Sequence, residues 1–237
     1  MYIKCWCNPS NLIHNMPPGI PNLQIENIGN GKKPLFVIKG FIELPCWNGY
    51  YLYDDTYKLK KDKVVTGGRI DLWVDGEIAL DNNLLFSEDQ INAYFFLVEH
   101  QESVKRSILQ SLQQQFPRLL ADEYASWDQE DPNLPQLADP THEFDFKEYI
   151  GPESIHIGKD IKEGSAYVTW RFRCRWDIEH GLDIVTHKER VIEIAPEADP
   201  WKIYKDNGTY EQVRKEYKEP MSVAGPPEKK KWWQFWQ

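Results

Sequence analysis

Cysteine is scarce in this chain, and the four present, Cys5, Cys7, Cys46 and Cys174, form neither a C-x-x-C pair nor the spacing of a disulfide framework. That excludes a dithiol redox motif and a cross-linked secreted scaffold, and makes a reducing cytoplasm the expected compartment. Long apolar runs are missing too. The start, MYIKCWCNPSNLIHN, has no apolar core behind a basic leader, and no later stretch approaches the length of a membrane span. Positive charge is in deficit, with a net charge of -9. Residues 122–148 hold nine acidic side chains against the single Lys147. A phosphate backbone needs clustered cations, so no nucleic-acid partner is expected. Catalytic spacings are absent as well: there is no H-x-x-x-H, H-E-x-x-H, G-x-S-x-G or G-x-x-x-x-G-K-[ST]. No cofactor and no metal are implied.

What is present is a globular composition with a large aromatic share, 41% hydrophobic, 27% charged and 14% aromatic over 237 residues. That length accommodates one sizeable core with loose ends. The clearest pattern is Tyr167 to Ile194, YVTWRFRCRWDIEHGLDIVTHKERVIEI. Val168, Trp170, Phe172, Cys174 and Trp176 alternate with Tyr167, Thr169, Arg171, Arg173 and Arg175, the period-two mark of a strand with one buried face. Asp177 to Gly181 breaks the alternation. Leu182 to His187 and Val191 to Ile194 then read as two further strands about a Lys188-Glu189-Arg190 turn, giving a three-stranded meander with an acidic, histidine-bearing first corner.

The run Phe172 to Leu182, F-x-C-x-W-D-x-E-H-G-L, resembles the signature of a family of uncharacterised bacterial domains that recurs as C-x-W-D-x-E-H-G-L-G-V. Ile178 and Asp183 depart from it, standing where relatives often carry an acid and a glycine. The resemblance implies a fold and a setting near contact-toxin and immunity genes rather than a reaction.

Before the meander, residues 1–33 are rich in Pro and Gly and read as an irregular arm. Leu35 to Leu44 reads as a strand with a break at Gly40, and Tyr50 to Tyr53 as a short aromatic strand. Arg69 to Leu80 is expected to form a hairpin about a three-residue loop, Val74-Asp75-Gly76, which puts Ile70, Leu72, Ile78 and Leu80 on one face. Trp73 then falls on the opposite face as a candidate contact, unless a second layer covers it. Ser87-Glu88-Asp89-Gln90 is a capping box. Helical spacing from Tyr94 to Leu119 carries the helix on to about residue 116, or bends it near Ser103. Residues 121–149 form an acidic excursion, and 204–237 a C-terminal extension ending in Lys229-Lys230-Lys231-Trp232-Trp233-Gln234-Phe235-Trp236. Docking of that tail on protein is favoured over a membrane contact, because no longer amphipathic helix supports it.

The expected architecture is α+β: a twisted antiparallel sheet with one long helix packed on it, an irregular N-terminal arm, a domain over 34–203 and a C-terminal tail. Two functions are open. The favoured one is a cytoplasmic protein-interaction module, in the resemblance's setting an immunity protein that meets a basic toxin domain. Its binding candidates are Trp73, the row Arg171, Arg173 and Arg175, and Trp232, Trp233 and Trp236. The alternative is a metal-dependent or acid/base enzyme using Asp177, Glu179, His180 and His187. A structural role is favoured for that corner: Asp177 capping the turn, and Gly181 taking a backbone angle other residues resist. The arginine row, likewise, is expected to pair with acids of neighbouring strands, Glu193 or Asp183.

Overall fold

The computed structural model describes residues 20–27, 36–53, 62–78, 84–121 and 145–218. In chain order the strands of its first part are β1 (Gln24–Asn27), β2 (Phe36–Glu43), β3 (Tyr51–Tyr53), β4 (Asp62–Val64), β5 (Arg69–Val74), β6 (Glu77–Ile78) and β7 (Leu84–Leu85). Helices α1 (Glu88–Glu99) and α2 (Gln101–Ala121) follow, then β8 (Ile150–Lys162), β9 (Ser165–Cys174), β10 (Asp177–His187) and β11 (Arg190–Ala195). The chain divides into two compact units, Met1–Asp199 and Pro200–Gln237.

The first unit is α+β. Seven strands form one mixed sheet in the order β1-β2-β5-β8-β9-β10-β11. Every pairing in it is antiparallel except β5 with β8, which run parallel with Trp73 beside His156. Joining them takes a crossover, and α1 and α2 lie within that connection. One face of the sheet is apolar because alternate residues of each strand point the same way. Ile38 and Ile42 of β2, Ile70, Leu72 and Val74 of β5, Ile155 and Ile157 of β8, and Val168, Trp170 and Phe172 of β9 are all buried in one core. From the helices, Tyr94, Leu97, Val104, Ile108, Leu112 and Phe116 enter the same core. Trp47 lies within it, its ring 4.9 Å from Tyr50, 5.9 Å from Trp170 and 5.4 Å from Phe172.

The meander forms as its pattern implies, as β9, β10 and β11, and the capping box closes at both bonds: Ser87 accepts from the Gln90 amide and Gln90 from the Ser87 amide. Three expectations are corrected. Of the two helix readings the interrupted one forms, but the break falls at His100, whose amide still bonds to Phe96, rather than near Ser103, and α2 continues past Pro117 to Ala121 instead of ending near residue 116. The Arg69–Leu80 hairpin does not form. After Val74 the Asp75 amide donates to the carbonyl of Ile157 at 3.0 Å, and β6 pairs with β7 instead of folding back on β5. Last, the sheet is mixed rather than wholly antiparallel, because β8, which the sequence pattern does not reveal, sits at its centre between β5 and β9.

The second unit contains α3 (Pro200–Asn207) and α4 (Tyr210–Lys218), joined through Gly208 at φ +82°. Trp201 holds the pair together, its ring 5.7 Å from Tyr204, 5.6 Å from Tyr210 and 6.0 Å from Tyr217. Among the described residues no helix is long and apolar enough to cross a membrane.

Candidate functional site

The corner after β9 is built from local rules. Cys174 pairs with Asp177 across a tight turn, and the register then jumps so that Leu182 faces Phe172, leaving residues 178–181 as a bulge in β10. Asp177 Oδ1 accepts the His180 amide at 2.9 Å and lies 3.1 Å from His180 Nδ1. Gly181 sits at φ +70°, and a Cβ there would lie 2.4 Å from the carbonyl oxygen of Phe172. The carboxylate is thus used on its own bulge, and the glycine lets the strand rejoin its neighbour.

His187 stands at the other end of β10. It is buried, its Nε2 donating to the Lys162 carbonyl at 2.7 Å while its ring packs 4.9 Å from Tyr167. The side chain of Glu179 lies outside the described residues. Asp177 and His180 are therefore brought together and His187 is not. Among the described residues no group of three or more His, Cys, Asp or Glu side chains is placed to hold a metal ion. Burial pushes the Cys46 thiol up to about 12 and that of Cys174 well above its ordinary value, so neither is a thiolate nucleophile at neutral pH.

The arginine row is engaged with its neighbours. Arg171 Nη1 bonds to Asp183 at 2.7 Å and to the Pro196 carbonyl at 3.1 Å, and Nη2 donates to the His180 carbonyl. Asp183 also accepts the Ala198 amide at 3.1 Å, so the pair fastens both the bulge and the segment after β11. Arg173 pairs with Glu153 at 2.8 Å, and the Arg175 guanidinium lies 5.2 Å from the Tyr51 ring. Glu193 accepts the Asp199 amide.

The surface with open chemistry is elsewhere, on the outer face of β2, β5 and β8. Arg69, Asp71 and Trp73 project from β5 away from the core, Arg69 and Asp71 exposed and Trp73 half-buried. The Arg69 guanidinium stacks 3.7 Å over Phe41, and Lys39 lies 5.8 Å from the Trp73 ring while pairing with Glu26. Between the carboxyl end of β5 and the middle of β8 this face dips into a hollow of about 160 Å³ lined by Val37, Ile38, Trp73, Asp75, His156 and Lys159, among others. Asp75 Oδ1 lies 2.9 Å from His156 Nε2. The hydrogen bond from His156 holds the Asp75 carboxyl below its usual range. Sequence reasoning singled out Trp73 but missed Asp75 and His156, which are far apart in the chain and meet only through the parallel pairing.

Trp232, Trp233 and Trp236 lie outside the described residues, as does most of the acidic excursion.

A family model described as "Domain of unknown function (DUF6985)" matches residues 48–200, well over half of the chain, and the chain belongs to that family. No curated protein and no solved structure matches it.

Proposed function

We propose that this member of the DUF6985 family is a cytoplasmic protein-interaction module that binds through the outer face of β2, β5 and β8, and that it serves as an immunity-type partner of a basic toxin domain. The observation that carries the reading is the pairing of aromatic rings with cations on an open sheet face: Phe41 under Arg69, and Trp73 beside Lys39. Aromatic and arginine side chains are the groups that dominate binding energy when a partner excludes water from them. Asp71, exposed on β5 between Arg69 and Trp73 and opposite Phe41, adds a charge that can select the partner. The acidic stretch 122–148 is complementary to a basic partner and supports that choice.

The test is capture of a partner on the full chain at low salt from the native cytoplasm, repeated with Phe41→Ala/Trp73→Ala. Loss of capture by the double variant, with neutralisation of the captured toxin by the wild type, is the expected result. Equal capture by both proteins would remove this face from consideration.

A further inference from the structure

We propose that the hollow between the carboxyl end of β5 and the middle of β8 is an acid/base site in which His156, oriented by Asp75, assists the hydrolysis of a small ester. The inference does not depend on the interaction reading, although the hollow shares Trp73 with that face, and it rests on the arrangement of four side chains.

Asp75 follows the last residue of β5 and His156 lies in the middle of the parallel neighbour β8, opposite Trp73, so their side chains meet where the ladder ends, with Nε2 and Oδ1 2.9 Å apart. A carboxylate only accepts, so in the neutral imidazole Nε2 carries the proton and Nδ1 the lone pair. The frame beneath them is fixed. The Asp75 amide donates to Ile157 at 3.0 Å, and Gln90, at the start of α1, donates to the carbonyls of both Asp75 and Gly158, the latter at 3.1 Å. Both side chains are nearly half exposed, so the pair is reachable from solvent. Trp73 offers a flat wall, Val37, Ile38 and Val74 an apolar one, and Lys159 supplies a cation in the lining. A base, the group that orients it, a cation for a developing oxyanion and an apolar platform are thus gathered in one concavity.

In the reaction, a water oxygen forms a bond to the ester carbonyl carbon while its proton passes to Nδ1 of His156. The tetrahedral oxyanion is stabilised by the Lys159 ammonium. Its collapse breaks the bond to the alcohol oxygen, which takes the proton back from Nδ1, so ester and water become acid and alcohol and the imidazole is restored. Asp75 is a positioning residue, touching the base and not the substrate.

The experiment measures p-nitrophenyl acetate hydrolysis by the full chain, with His156→Ala, Asp75→Asn and, as a control for exposed imidazoles, His100→Ala. The expected result is a fall in kcat/KM of about 100-fold for His156→Ala, the lower end of what general-base catalysis contributes, and no change for His100→Ala. Asp75→Asn is expected to lower kcat with KM little changed, and Asp75→Glu to recover part of the loss; a merely structural role would move both parameters together and show no such rescue. A wild-type rate matched by His156→Ala, or lost equally in His100→Ala, would overturn the proposal. Circular dichroism of each variant separates loss of the site from loss of the fold.

Discussion

At Gly181 two constraints coincide: a backbone angle of +70° and a Cβ position 2.4 Å from the Phe172 carbonyl oxygen. Gly181→Val is therefore expected to cost about 1–3 kcal/mol from the backbone conformation alone, with displacement of the β9 partner strand adding to it. Asp177→Ala strips the His180 amide of its acceptor and, with that bond partly open to water, is expected to cost about 0.5–1.5 kcal/mol. Paired urea denaturation curves decide both; an unmoved midpoint in either variant would mean that the bulge tolerates what its geometry forbids. These two residues were legible in the sequence because their roles are local. A glycine and an aspartate at a break in a strand pattern signal a turn without knowledge of distant pairing. Arg171 with Asp183 was legible for a similar reason, since neighbouring strands of a meander place them opposite each other. Asp75 with His156 was not. Nothing near either residue signals the other, and the parallel ladder that joins them follows a long crossover.

The same limit acts on whole elements. β8 carries Gly151, Pro152 and Gly158, residues that ordinarily argue against an interior strand. Two of these exceptions have a physical reason. Pro152 sits where the register with β9 shifts, so its missing N–H falls at an irregularity of the ladder. Gly151 lies against the Tyr51 backbone, with the site of a Cβ 1.9 Å from the Tyr51 carbonyl oxygen. The Arg69–Leu80 hairpin failed through the same element: once β8 takes the Asp75 amide, β5 has its second neighbour and does not need β6. The alternation of Ile155 and Ile157 was the signal that could have found β8. Ile155 is fully buried at the centre of the sheet. Ile155→Ala should accordingly cost about 2–5 kcal/mol as a core truncation, read as a lowered denaturation midpoint, whereas a shift below 1 kcal/mol would show that β8 is peripheral to stability.

For the molecule as a whole, the proposed interaction divides between charge that acts at range and groups that act at contact. The outer face of β2, β5 and β8 holds rings and paired charges, which act at contact distance. The nine acids of 122–148 supply nearly all of the net charge of -9, and an uncompensated charge of that size acts at range. Replacing those nine acids by their amides should slow association with a basic partner by about tenfold or more at low ionic strength, within the range that steering produces, and leave dissociation nearly unchanged. Raising salt to about 0.15 M, where the screening length falls to about 8 Å, should erase most of the difference. Phe41→Ala/Trp73→Ala should do the reverse, speeding dissociation with little effect on the salt dependence of the on-rate, because truncated contacts are felt after docking. Stopped-flow or surface-plasmon traces at two salt concentrations read both effects. If the amide variant changed dissociation as strongly as association, the acidic stretch would belong to the contact surface itself rather than steer the partner toward it.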